Sequence, residues 1–335
     1  MGTNPLLQSL RTSLATAPPV ADSLRTFLEK IYRDPSLMGG VGTKWPLKKS
    51  SRDPTGQKPV SEVNSGPSLA DYIYDLYSSG NSGSSSTTRK GFEIRRFIVN
   101  LVLLERKYAS LLSRVETQKE SYSLLDMFSY DDETLKVACN DFIYFHPVWD
   151  LNAGYRVYAN AKFESAVSVL GTLLQFLKEN QDRGGVSSFK VCGPAMPPRA
   201  DMIVVYCENK PAAEEIAKLF LKTPNVFNMP VPEMTSRADN VAGVALGAEP
   251  TWQATGLGSH KGRRAEQDAR RMGFPEGQAR HAPQSFGSLR SEAIAAAILN
   301  FKENKGLLGD NFTVFTKFVS VAFRGMGLDP TKPGD

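Results

Sequence analysis

The residue whose type and position best suit acid–base chemistry is Lys190. It alternates with Phe189 and Val191 in a predicted strand just before Gly193-Pro194, so we expect it on the face opposite those apolar neighbours. The simpler interpretation is a solvent-facing lysine, because charged side chains are mostly exposed. The functional interpretation is a partly desolvated amine, since burial and nearby cations lower a lysine pKa and make the amine a usable base.

Two arginines suit anion binding. Arg156 alternates with Val157 in a predicted strand. It is either a surface arginine paired with Glu164 or an anion ligand that donates several guanidinium N–H bonds. Arg290 stands in the first turn of a predicted helix that begins near Ser288. It is either exposed there or an anion ligand. A cation opposes the helix dipole at this position, whereas an arginine beside free N–H groups suits a phosphate or carboxylate. This favours Arg290 over Arg156 as the anion ligand.

The chain has three histidines, and each is a candidate acid or base. His146 lies among aromatic residues just before Pro147, and is either a packed, hydrogen-bonded residue or a proton donor. His260 and His281 lie in a polar segment within the predicted insertion 251–284.

The insertion 251–284 is rich in basic side chains. Its candidate ligands for an acidic peptide are Lys261, Arg263 and Arg264, and the alternative is a solvated loop. Nucleic acid is the weaker partner, because Trp252 and Phe274 are the aromatic residues available for stacking.

Composition narrows the class of protein. With 335 residues, 41% hydrophobic and 22% charged, the chain has ordinary globular usage and room for two domains or one large domain with an appendage. A net charge of +5 is too mild to indicate nucleic-acid binding by itself. Three distant cysteines argue against a disulfide framework and against a zinc site, and suit a reducing compartment.

Localisation and common catalytic motifs can also be assessed from the sequence. No apolar stretch approaches the ~20 residues that span a bilayer, and no continuous apolar secretion signal is present. These observations predict a cytoplasmic protein that does not bind membranes. Gly-rich phosphate loops, nucleophile elbows and zinc-protease helices are also absent from the sequence.

Periodicity predicts an α+β fold, in which a mainly antiparallel sheet packs with helices and a helical N-terminal region precedes it. Helices are expected at 21–33, 67–77, 164–179, 211–222 and 288–301, and strands at 142–145, 155–160, 188–192, 201–207 and 241–246. Residues 92–113 fit either a helix or a strand. The Gly/Ser-rich stretch 78–88 predicts a flexible boundary. We therefore divide the chain into residues 1–90, helical with flexible loops, and residues 91–335.

The second half of the chain contains a series of short blocks. The first are Arg156-Val157-Tyr158-Ala159-Asn160 and Lys190-Val191-Cys192-Gly193-Pro194-Ala195. Further blocks follow at Arg199-Ala200-Asp201, Gly243-Val244-Ala245-Leu246 and Ser285-Phe286-Gly287-Ser288-Leu289-Arg290. In this order, the blocks resemble the Hop-A type III effector family over roughly residues 140–330. The N-terminal 90 residues match only loosely, and the insertion departs from the family pattern.

The resemblance implies a function. Related domains occur in biosynthetic clusters for class V lanthipeptides and thioamitides, where they are similar in role to phosphothreonine lyases. They remove phosphate from phosphoserine or phosphothreonine of a ribosomal precursor peptide and leave a dehydroamino acid, without a cofactor or metal. A separate aminoglycoside-phosphotransferase-like kinase installs the phosphate.

By this analogy, Lys190 is the base and Arg156 and Arg290 hold the phosphate, with N–H donors near Ser288. Tyr158 or His146 would protonate the leaving oxygen. The alternative is a non-catalytic type III effector or scaffold that binds a host or partner protein through its basic surface.

Overall fold

The computed structural model of the chain describes residues 5–38, 66–79, 89–117, 124–180, 184–223, 225–228, 231–237, 243–249 and 286–334. The Gly/Ser stretch 78–88 lies mostly outside these ranges, and the insertion 251–284 lies wholly outside them. The chain forms two compact units, one of residues 78–249 and one of residues 1–77 with 250–335.

The elements follow one another along the chain as helices, then a mixed region, then helices. The first helices are α1 (Pro5–Ala15), α2 (Asp22–Arg33), α3 (Pro35–Met38), α4 (Gly66–Ser79) and α5 (Gly91–Lys107). The mixed region contains β1 (Leu112–Thr117), α6 (Asp132–Ala138), β2 (Phe142–Pro147), β3 (Tyr155–Ala159), α7 (Ala166–Asn180), β4 (Val186–Cys192), β5 (Ile203–Cys207), α8 (Lys210–Leu221), β6 (Ser236–Arg237) and β7 (Val244–Ala248). The last two helices are α9 (Phe286–Leu308) and α10 (Phe312–Gly325).

The described residues of the unit 78–249 contain a seven-stranded sheet in the order β1-β2-β4-β5-β3-β7-β6. Each neighbouring pair of strands runs antiparallel. The prediction of an α+β fold with a mainly antiparallel sheet is therefore confirmed.

One face of this sheet packs against helices of the same unit. Phe145 of β2 and Phe189 of β4 stack with ring centroids 4.9 Å apart, and both join the core cluster that contains Leu174 of α7 and Ile216 of α8. Fully burying such a side chain contributes about 1.5–3 kcal/mol. This burial fixes which side of each strand faces the helices, because side chains alternate along a strand.

The ambiguous stretch 92–113 forms α5 and then the first residues of β1. Ile94, Ile98 and Leu101 are buried, and their spacing of three and four residues is that of a helix. Val99 and Leu103, which a strand would bury together with Leu101, are exposed. The helical interpretation is therefore correct for residues 91–107.

Helices from both ends of the chain build the other unit. The ring of Tyr32 in α2 stacks on Phe315 of α10, with centroids 5.7 Å apart. The N–H of Ala21 donates to the Pro330 carbonyl at 2.9 Å, and Ser320 Oγ donates to the Pro18 carbonyl at 2.8 Å. Segments about 300 residues apart in sequence thus share one core.

The two units divide the chain differently from the boundary that we placed at residue 90. The structure groups residues 250–335 with the N-terminal helices rather than with the sheet. Local composition could not reveal this grouping, because it depends on contacts between distant segments. No helix in the described ranges is long and apolar enough to cross a membrane.

Candidate functional site

Lys190 lies on a central strand, on the face opposite its core-forming neighbours Phe189 and Val191. The alternation predicted from sequence is therefore present. Only 7% of Lys190 is exposed, so the interpretation as a solvent-facing lysine is wrong. Its Nζ lies 3.7 Å from the centre of the Phe142 ring and 5.4 Å from that of Tyr144. These aromatic rings favour the ammonium form, whereas burial opposes it.

Tyr206 lies between two cations on the same face of the sheet. It belongs to β5, which runs between β4 and β3. Arg156 of β3 is its directly opposite partner in register, and the guanidinium carbon lies 4.5 Å from the centre of the Tyr206 ring. On the other side, Lys190 donates a hydrogen bond to the Tyr206 hydroxyl oxygen. We call Lys190, Tyr206, Arg156, Tyr158 and Tyr144 the polar face of the sheet.

The two tyrosines that contact Lys190 have opposite electrostatic environments. Burial raises the pKa of the Tyr206 phenol, but the charges of Lys190 and Arg156 outweigh burial and leave that pKa below its ordinary value. Burial also raises the pKa of Tyr144, and there the opposing effect of Lys190 is too small to cancel it. Tyr206 is therefore the more acidic phenol of the two.

Arg156 is fixed by a carboxylate that the sequence interpretation did not consider. Its Nε pairs with Oε1 of Glu249, just after β7, and 9% of the arginine is exposed. The N–H of Glu249 donates to the Gly154 carbonyl at 2.9 Å, which holds the acidic residue beside β3. The ion pair orients a guanidinium that has five N–H donors in all.

The loop after β4 is packed tightly against the chain before β2. The N–H of Gly193 donates to the Asp141 carbonyl at 2.9 Å. A side chain at Gly193 would place its Cβ 2.1 Å from the Cys139 carbonyl oxygen, so a larger residue fits there only if the backbone moves. Farther along the loop, Arg199 makes two hydrogen bonds to Asp201, of 2.7 and 3.1 Å. These contacts fix the end of the strand that carries Lys190.

The two predicted proton donors lie at different places on the sheet. Tyr158 is buried and lies two residues beyond Arg156 on β3, on the polar face. His146 lies toward the end of β2, next to the edge strand β1. Its Nε2 is 3.1 Å from Oε1 of Glu116, which also pairs with Arg114 at 3.0 Å. Its ring also stacks on that of Tyr144, with centroids 6.4 Å apart, so His146 lies on the polar face of the sheet, toward its β1 edge.

Arg290 and Ser288 belong to the first turns of α9, in the helical unit. The guanidinium of Arg290 is 1% exposed and lies 3.6 Å from the centre of the Phe286 ring. Its Nε donates to the Pro333 carbonyl at 2.6 Å, and Nη1 donates to the Phe286 carbonyl at 3.2 Å. Arg290 is therefore not an exposed first-turn residue, and these bonds tie the C-terminal segment to α9. The phosphate roles of Arg290 and Ser288 stay predictions.

The predicted peptide ligands Lys261, Arg263 and Arg264 lie outside the described residues. The cysteines, in contrast, are all described and buried. Burial raises the pKa of Cys139 and Cys192 to about 12, so neither is a thiolate nucleophile. Within the described ranges, no three His, Cys, Asp or Glu side chains cluster closely enough to hold a metal ion.

A cavity of about 770 Å³ lies on the helical side of the same unit, between α5 and α7. Leu103 and Lys107 line it from α5, and Ser168 and Gly171 line it from α7. None of the polar-face residues lines this cavity. It is therefore distinct from the candidate site around Lys190.

The fold is similar to that of a solved effector protein from Pseudomonas syringae pv. tomato strain DC3000. The TM-score is 0.53 at 18% sequence identity, over 82% of this chain and 91% of that chain. An effector protein from Pseudomonas syringae pv. syringae strain 61 gives a TM-score of 0.49 at 15% identity, over 79% and 89% of the two chains. No protein-family model and no curated protein matches the sequence. The match to the protein of strain DC3000 shows that the chain has an effector-like fold, which agrees with the effector part of the resemblance noted from the sequence.

Sequence reasoning missed Tyr206 and Glu249 as candidate site residues. The alternation of β5 places Tyr206 on a particular side, but only the register with β3 and β4 puts it between Arg156 and Lys190. Register between strands far apart in sequence leaves no local signal. Glu249 follows the predicted strand 241–246, and no local pattern marks it as the partner of Arg156.

Proposed function

We propose that the chain is a lyase that removes phosphate by β-elimination from phosphoserine or phosphothreonine of a ribosomal precursor peptide. The products are dehydroalanine or dehydrobutyrine and inorganic phosphate, as in lanthipeptide or thioamitide maturation. The observation that carries the proposal is the placement of Lys190 and Arg156 on one face of the sheet, with a phenol between them. A separate kinase of the aminoglycoside-phosphotransferase-like type would supply the phosphorylated substrate.

The chemistry assigns a task to each of these groups. The neutral amine of Lys190 takes the Cα proton, the released electron pair forms the Cα=Cβ bond, and the Cβ–O bond breaks with its electrons leaving on phosphate. A well-placed base contributes about 10²–10⁴-fold to the rate. Arg156 stabilises the departing anion with charge-assisted N–H bonds, which are strongest where water is excluded. No step needs a metal or a nucleotide.

The proposal predicts that Lys190→Ala abolishes elimination while the fold persists. The full chain is incubated with a phosphothreonine peptide, and mass spectrometry follows the loss of phosphoric acid. The wild-type protein should yield the alkene and Lys190→Ala should yield none. Lys218→Ala is the matched control, because Lys218 is exposed on α8 of the same unit.

A product with a free hydroxyl would show phosphatase activity and contradict the proposal. An active Lys190→Ala variant with unchanged circular dichroism would remove Lys190 from the role of base. The alternative function, docking of a partner on the basic insertion, rests on Lys261, Arg263 and Arg264, which lie outside the described residues.

A further inference from the structure

Tyr206 is a phenol that the structure places against both cations of the polar face. Its ring faces the Arg156 guanidinium at 4.5 Å, and its hydroxyl oxygen accepts a hydrogen bond from Lys190. Lys190 and Arg156 are both more than nine-tenths buried, whereas Tyr206 keeps intermediate exposure. Tyr206 thus contacts both buried cations while part of its own side chain stays exposed.

We propose that Tyr206 and Lys190 share one transferable proton, and that Tyr206 is the acid that protonates the departing phosphate. The inference rests on the proposed lyase function and adds a residue that sequence reasoning did not consider. Two groups that interact this closely titrate as a pair rather than separately. The pair exists as ammonium with phenolate or as amine with phenol, and the second form is the reactive one.

The protons gained and lost by Lys190, Tyr206 and the substrate balance over one turnover. The Lys190 amine takes the Cα proton and becomes an ammonium, while the Tyr206 phenol gives its proton to the ester oxygen as the Cβ–O bond breaks. The substrate dianion becomes the alkene and monohydrogen phosphate. Tyr206 is then a phenolate beside an ammonium, which is again the resting pair with one shared proton. No external acid, oxidant or reductant takes part.

The electrostatics of the site support Tyr206 over Tyr144. The charges of Lys190 and Arg156 hold its pKa below the ordinary value against burial and against the negative charge of Asp201. Tyr144 on β2 also contacts Lys190, but its pKa is raised. His146 is engaged by Glu116 at the β1–β2 side of the sheet.

The ionisation of Tyr206 can be measured without any substrate. The near-ultraviolet absorbance of tyrosinate is followed as the pH of the full-length native protein is raised, for wild type, Tyr206→Phe and Tyr108→Phe. Tyr108 is the matched control, because it is buried and hydrogen-bonded to Gln175 on the helical side. One of the 11 tyrosines should ionise before the rest, and that early step should vanish only in Tyr206→Phe.

The same titration in Arg156→Gln should move the early step to higher pH, because one of the two cations that favour phenolate is lost. An early step that persists in Tyr206→Phe, or the absence of an early step from wild type, would overturn the one-proton pair. These outcomes do not depend on the protein being a lyase.

The catalytic role is tested with the phosphothreonine peptide. In Tyr206→Phe we expect kcat to fall about 10²-fold or more with little change in KM, because the acid is lost and Arg156, which holds the phosphate, remains. Tyr108→Phe should keep wild-type kcat. Full activity in a folded Tyr206→Phe variant would overturn the role of Tyr206 alone. A wild-type protein that converts no phosphopeptide while the early ionisation is present would instead overturn the lyase function, and with it the acid role.

Discussion

At the level of single residues, Arg156 depends on Glu249 for its position. Both side chains of this ion pair are largely removed from water, with 10% and 13% of their surfaces exposed. Breaking such a pair from one side leaves a charge with no compensation, whereas removing both charges is often nearly neutral. The ion pair therefore contributes to stability because each charge compensates the other. It matters for the proposed function because Glu249 sets the direction of the Arg156 guanidinium.

The coupling between Arg156 and Glu249 can be measured in a double-mutant cycle. Arg156→Met alone should lower the free energy of unfolding by about 3 kcal/mol, because Glu249 is left buried. Adding Glu249→Met should restore much of that loss, as measured by urea unfolding. If the two single losses simply add in the double variant, the pair is not coupled and Glu249 does not hold Arg156.

At the level of elements, the position of Lys190 depends on how β4 is anchored at both ends. The burial of Phe189 and Val191 decides which face of the sheet Lys190 lies on. The close approach of Gly193 to the chain before β2 fixes the position of the end of β4. The first of these could be predicted from alternation in the sequence. The second could not, because a short contact with the Cys139 carbonyl has no local signature.

Gly193→Ala tests the second anchor. The added Cβ would meet backbone oxygens of Cys139 and Asp141 at 2.1 and 2.3 Å, so part of the backbone has to move. We expect a loss of about 1–3 kcal/mol in urea unfolding, in the range of overpacked cores.

Gly171→Ala in α7 is the control for this experiment, since its Cβ would meet only Leu104 Cδ1 at 3.4 Å. It should be neutral or stabilising, because alanine favours helices over glycine. Equal stability of the two variants would show that the loop after β4 gives way easily, and that it does not anchor Lys190.

The sequence predicted which segments are helices and strands better than it predicted which strands pair with each other. The spacing of Leu170, Leu174 and Leu177 identified α7, and the β-branched run before Tyr206 identified β5. The edge strand β1 was missed, since its residues include polar Ser113, Arg114 and Glu116 that follow no buried alternation over its first half. The strand order of the sheet was beyond sequence reasoning, because it is decided by packing between distant segments.

At the level of the whole molecule, the chain forms a helical unit from its two ends and a sheet unit from its middle. The candidate site on the polar face needs only the middle segment, in which Lys190, Tyr206 and Arg156 come from three adjacent strands. The ends were predicted as separate pieces, because the hydrogen bond from Ala21 to Pro330 joins residues that no local pattern connects.

The proposed lyase function requires the protein to break the carbon–oxygen bond of a phosphorylated side chain. The most direct measurement is the oxygen content of the released phosphate after the full-length protein acts on a phosphothreonine peptide in heavy-oxygen water. Elimination driven by Lys190 should release phosphate that carries no solvent oxygen, together with an alkene in the peptide. Phosphate that has gained a heavy oxygen, with the peptide hydroxyl regenerated, would show attack at phosphorus and contradict the account.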